Sequence, residues 1–150
     1  MPALERLYTM APSFRAEKSR TRRHLTEFWH AEMEIAWASN DEVMEHGEGV
    51  VRHVASTLLE ERSEELEELG RDLSMVARFA ESEYPRMRYD EAIEILQSKG
   101  VEVEWGQDLD YSKEKILTSE FEVPHFLTHY PRVAKPFYHR PDPEDPKYVL

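Results

Sequence analysis

Two runs of residues in which apolar and polar side chains alternate strictly, at positions 7–17 and 26–38, constrain this chain more than any other feature. In the first, Tyr8, Met10, Phe14 and Ala16 fall on one side, and Thr9, Ser13, Arg15 and Glu17 on the other. In the second, Trp29, Ala31, Met33, Ile35 and Trp37 oppose Phe28, His30, Glu32 and Glu34. A period of two is the signature of a strand with two unlike faces. Pro12 marks the first run as an edge, an irregularity or a bend, because proline brings no N–H to a ladder. The basic, polar residues 18–23 lie between the runs, so the spacing predicts an antiparallel hairpin with a long loop over about residues 7–38.

From residue 39 the period changes. Ser39 and Glu42 have the spacing of a capping box, and Val43, Val50, Val51, Val54, Leu58, Leu66 and Leu69 recur at helical intervals up to Gly70. These predict a long amphipathic helix over residues 39–69, with a bend near Gly47 and Gly49. Its acidic end, EERSEELEELG, reads as solvated surface. A linker over residues 81–88 is expected to lead to a second helix, residues 89–99, ended by Gly100; the helical segment as a whole covers about residues 39–99. Further strands and connections fill residues 100–150. Strands are expected at 101–105, 126–130 and 136–140, a helical piece at 112–119, and a proline-rich turn then opens a last strand. The fold class is α+β. Because a domain seldom stops on the first residues of a strand, an excerpt of a larger domain is expected.

Composition narrows the chemistry. With 150 residues and 40% apolar content the chain supports one core. No long apolar run and no charged-then-apolar leader stands out, so no membrane contact and a cytoplasmic location are expected. The absence of cysteine removes disulfides, thiolate metal sites and a cysteine nucleophile. A net charge of −12 argues against a broad basic face for nucleic acid, and the five glycines form neither common phosphate-cradling motif. Any phosphate must therefore meet side chains.

The hairpin offers such side chains. If the two polar sides share one sheet face, a guanidinium (Arg15), an aromatic plate (Phe28) and carboxylates (Glu32, Glu34) converge there. Arg15 would grip phosphate with a planar fork, Phe28 would stack on a base, and the basic loop with His24 would close over a polyphosphate. Glu32 and Glu34 would hold an ammonium group or a magnesium ion. Taken one by one, the same residues also read as a cross-strand salt bridge of Arg15 with Glu17, solvated loop arginines and a packed Phe28. Elsewhere, His125, His129 and His139 have irregular spacing for a metal and read as surface or hydrogen-bonded histidines, so no metal-ligating residues are assigned. Lys135 reads as structural, and Asp108 with Asp110 as loop caps.

The segment FRAEKSRTRRHLTEF followed by WHAEMEIAW resembles motif 2 of the class II aminoacyl-tRNA synthetases of the aspartate, asparagine and lysine subgroup. YDEAIEILQSKGVEVEWGQDL, THYPRVAKPFY and PDPEDP are similar to stretches of the archaeal-type asparaginyl branch, so the resemblance runs along essentially the whole chain. It implies part of a class II antiparallel sheet with flanking helices, and a ligase of protein biosynthesis that activates asparagine with ATP and Mg2+ and passes it to tRNA(Asn). By the same resemblance Arg15 is the catalytic arginine at the ATP α-phosphate and the substrate carboxylate. Glu17 lies beside the adenine and the tRNA acceptor end, Ser19 meets that end, His24 meets the γ-phosphate, and Phe28 underlies the adenine. Glu32 faces the ammonium group of the amino acid; aspartyl enzymes usually carry Asp there, so Glu32 tilts the specificity to asparagine over aspartate. Such a site works by positioning and electrostatic stabilisation, with no protein nucleophile. The resemblance places the dimer-forming motif 1 before residue 1, and motif 3 with the main magnesium carboxylate after residue 150. It therefore does not extend to independent aminoacylation by these residues. The competing expectations are an aspartate-tRNA ligase, a non-catalytic module that binds ATP or a tRNA end, and an inert excerpt.

Overall fold

A computed structural model describes residues 4–16 and 24–150. They form two compact units, Met1–Val43 and Met44–Leu150.

The first unit is built on an antiparallel hairpin of β1 (Arg6–Phe14) and β2 (Glu27–Ile35). Every pair in the register, from Arg6 opposite Ile35 to Phe14 opposite Glu27, has residue numbers that add to the same value. The ladder continues one step beyond each end, with Arg15 N–H donating to Thr26 O at 2.9 Å and Ala36 N–H to Glu5 O at 2.8 Å. Odd-numbered β1 residues therefore occupy the hydrogen-bonded pairs. Pro12, opposite Trp29, falls in a non-hydrogen-bonded pair, so its missing N–H deprives β2 of nothing. The strands are shorter than the alternation suggests. β1 stops at Phe14, and after Ala36 the backbone turns at Trp37, whose φ is +66°. Trp37, 94% exposed, leaves the alternating face because its left-handed backbone breaks the extended conformation.

That helix, α1 (Asn40–Glu61), opens with the expected capping box. Ser39 N–H donates to Glu42 Oε2 at 2.7 Å and Glu42 N–H to Ser39 Oγ at 3.2 Å. α1 is continuous through Gly47 and Gly49; the break falls at Arg62, before α2 (Ser63–Glu68). The acidic end is exposed, apart from half-buried Ser63 and Leu66, and the helix ends ahead of Gly70, at φ +67°, where Gly70 and Arg71 N–H cap the last carbonyls.

The second unit carries the core. α3 (Leu73–Glu81), capped by Asp72, lies ahead of the linker expected over residues 81–88, and β3 (Arg86–Arg88) occupies the end of that linker. α4 (Tyr89–Ser98) places Tyr89, Ala92, Ile93 and Leu96 on one buried face, at helical spacing. This face packs with Met87, Val103, Leu109 and Leu117, the last from α5 (Tyr111–Thr118). Glu91 caps α4 by accepting from Arg88 N–H at 2.7 Å, and Gly100, at φ +76°, ends it.

Strand expectations in this half change most. Residues 101–105 form no ladder; Val103 is buried, and Gln97 Nε2 satisfies its carbonyl at 3.0 Å. The run expected at 126–130 splits at His129, with φ +54°, into β4 (Phe126–Thr128) and β5 (Tyr130–Pro131). β4 pairs parallel with β3, and β5 pairs antiparallel with β6 (Tyr148–Val149). Residues 136–140 are a turn, not a strand, because they project between two anchors on β6.

Candidate functional site

The register decides which hairpin side chains meet. Residues directly opposite share a face, so Ser13 lies with Phe28, Ala11 with His30 and Thr9 with Glu32. Arg15, opposite Thr26, is the diagonal neighbour of Phe28 on that same face. Its guanidinium carbon stands 5.8 Å from the Phe28 ring centroid, within cation–π reach. The Phe28 and His30 rings meet edge to face at 5.8 Å, and His30 Nδ1 is 3.6 Å from Glu32 Oε1. Cation, aromatic plate, imidazole and carboxylate thus form one strip. From Phe28 to Glu32 it extends about 13 Å along the strand.

Phe28 and His30 are half-buried, whereas Arg15 and Glu32 are exposed. His24 is exposed at the approach to β2. Glu17 and Ser19 lie outside the described residues. His30 received no role from the sequence, although its place between Phe28 and Glu32 in the alternation was the signal. The opposite face carries Tyr8, Met10, Phe14, Trp29 and Met33, all exposed.

The other sequence candidates take separate structural places. His125 stacks on Phe121 at 4.3 Å, and burial lowers its pKa. His129 Nδ1 meets Thr128 Oγ1 at 2.9 Å, with Nε2 3.6 Å from Asp142, and His139 Nδ1 meets Pro136 O at 3.2 Å. Among the described residues no group of three or more His, Asp or Glu side chains is arranged to hold a metal ion. Asp110 is a helix cap, accepting from Ser112 and Lys113 N–H at 2.9 and 3.1 Å; the hydrogen bonds from Lys113 and Ser112 hold its carboxyl well below the ordinary range. Asp108 is not a cap. It pairs with Lys135 Nζ at 2.8 Å, and that ammonium sits 3.8 Å from the Tyr130 ring centroid. Burial, with Asp108 nearby, pushes the Tyr130 hydroxyl up to about 12. A groove of about 640 Å³ between α1 and the segment before β3 contains Arg52, whose Nε donates to Ala80 O at 3.0 Å; this ties two helices together.

Comparison with known proteins adds the deciding observation: the profile of the tRNA synthetases class II (D, K and N) matches residues 1–150. The chain belongs to this family. Within it, an asparagine-tRNA ligase from Thermococcus gammatolerans is 51% identical over 147 residues, covering 98% of this chain and 34% of that protein. The crystal structure of asparaginyl-tRNA synthetase from Pyrococcus horikoshii complexed with asparaginyl-adenylate superposes with a TM-score of 0.93 at 49% identity, covering 99% of this chain and 34% of that one. An aspartyl-tRNA synthetase from Entamoeba histolytica is more distant, at 27% identity and a TM-score of 0.75, covering 97% of this chain and 31% of its own. The chain spans about a third of the length of these class II relatives. Their likeness bears out the α+β class II architecture.

Proposed function

We propose that residues 1–150 are the motif 2 portion of the catalytic domain of an asparagine-tRNA ligase acting in the cytoplasm. The observation that carries this reading is the register, which puts Arg15, Phe28, His30 and Glu32 on one face of the hairpin. In this reading the adenine of ATP stacks on Phe28, and Arg15 grips the α-phosphate and balances the charge that develops as the asparagine carboxylate attacks the α-phosphorus in line. His24 meets the γ-phosphate, and Glu32 accepts from the ammonium group of asparagine. Glu17 and Ser19 meet the tRNA acceptor end. His30 is a positioning residue: its ring lies against Phe28 and its Nδ1 approaches Glu32. Asparagine is favoured over aspartate by Glu32 and by the identity of about half to asparagine-tRNA ligases.

Calorimetric titration with ATP and magnesium tests the reading. Arg15→Ala removes charge-assisted hydrogen bonds to phosphate and is expected to weaken ATP binding roughly tenfold or more. Lys99→Ala, which removes a surface ion pair with Glu120, leaves it unchanged. Equal affinities for the Arg15 variant and the native chain would refute the assignment. Pyrophosphate exchange with asparagine against aspartate then reads the specificity.

A further inference from the structure

We propose that residues 132–140 form a stacking platform for unpaired nucleotides of an RNA strand. The segment begins and ends on the same short strand. Pro131 pairs with Tyr148 and Arg132 N–H donates to Lys147 O at 2.7 Å, while Pro141 bridges Val149 and Leu150 N–H donates to Arg140 O at 2.9 Å. Such a closed loop is compact and held at its base. Inside it, Arg132–Ala134 makes one 3-10 turn and His139 N–H donates to Pro136 O at 3.1 Å. The Lys135 ammonium, between Asp108 and the Tyr130 ring, pins the loop to the body of the unit.

What this framework presents is aromatic. Phe137 is 97% exposed and Tyr138 73% exposed. Their rings stand edge to face at 5.8 Å, and Tyr138 is backed by the His139 ring, stacked at 4.9 Å. Two aromatic surfaces on an anchored loop offer base-sized planes with little left to order on binding. The charge around them matches a phosphate backbone. In a chain of net charge −12, no acid occurs between Arg132 and Arg140, and three cations do. Asp108 balances Lys135, which leaves Arg132 and Arg140 flanking the rings. Two of the acids that follow are engaged elsewhere: Asp142 accepts from Glu144 N–H at 2.9 Å, and Asp145 pairs with Lys147 at 3.4 Å. A purely apolar partner would use the rings but not the flanking guanidinium groups.

The inference rests on the proposed function only in taking the RNA to be a tRNA, whose acceptor end is unpaired. Fluorescence anisotropy at about 50 mM salt, with an RNA hairpin bearing a four-nucleotide 3′ tail and its blunt counterpart, tests it directly. The native chain is expected to prefer the tailed RNA. Phe137→Ala with Tyr138→Ala is expected to weaken tail binding at least about tenfold with an unchanged circular dichroism spectrum, since neither ring supports the core. Arg132→Gln with Arg140→Gln is expected to flatten the salt dependence. Equal or undetectable binding of the two RNAs by the native chain would overturn the proposal. So would an aromatic variant that binds the tailed RNA as tightly as the native chain does. ATP titration of the same samples reads the hairpin site separately, so loss of one binding activity with retention of the other identifies which reading failed.

Discussion

Replacing Asp90 with alanine removes an acceptor that ties three segments of the second unit together. Asp90 stands in the first turn of α4 and accepts from Trp105 Nε1 at 2.7 Å and from the Tyr148 hydroxyl on β6. Trp105 is 46% exposed, so water replaces that bond at little cost. Tyr148 is 5% exposed, and its hydroxyl would be left without its acceptor. A charge-assisted bond lost and a partly buried O–H left without its acceptor, although Lys147 still donates to the same oxygen, together predict destabilisation of about 1.5–3 kcal/mol, a Tm lower by roughly 4–12 °C. The effect carries a pH signature. Burial acts to raise the Asp90 pKa, but the bonds from Tyr148 and Trp105, with Lys147 and Arg88 nearby, outweigh it and hold the carboxyl below its ordinary 3.8. A carboxylate lowered in the folded state stabilises above its unfolded value and loses that contribution as pH falls through its folded one. The gap between native chain and variant should be complete at pH 7 and shrink below about pH 4. Urea titration followed by circular dichroism at 222 nm, which reads the helices, measures it. A gap under about 0.5 kcal/mol at pH 7, or one that persists undiminished at pH 3, would refute the reasoning.

Two further outcomes test the packing and the helix start. Leu96→Ala, at a fully buried position on α4, should cost about 2–5 kcal/mol in the same titration, because the close-packed cluster around it relaxes only in part. Ser39→Ala removes the hydroxyl that accepts from Glu42 N–H; about 1 kcal/mol of local stability should be lost, seen as faster hydrogen exchange in the first turn of α1 and little change in α4.

Local chemistry left its marks in the sequence. The alternation identified both hairpin strands, the Ser39 and Glu42 pair identified a helix start, and Gly70 and Gly100 identified two helix ends, because each depends on residues only a few positions apart. Motif 2 carried the family for the same reason, since its residues are consecutive. Where the partner lies far along the chain, the local pattern misled. β3 is three residues long and exists through parallel pairing with β4, some forty positions on. Residues 101–105 alternate like a strand yet find no ladder; α4 takes up Val103, and a glutamine side chain satisfies its carbonyl. Residues 136–140 look like a strand but serve as a loop held from both ends by β6.

The candidate site divides along the same line. The sequence by itself determined that Arg15 belongs to the polar side of one strand, and Phe28 and Glu32 to the polar side of the other. Whether those sides coincide depended on register, which the tertiary structure alone decided: a slip of one residue between the two strands would have turned Phe28 and Glu32 to the face opposite Arg15, because side chains in a strand alternate with a period of two.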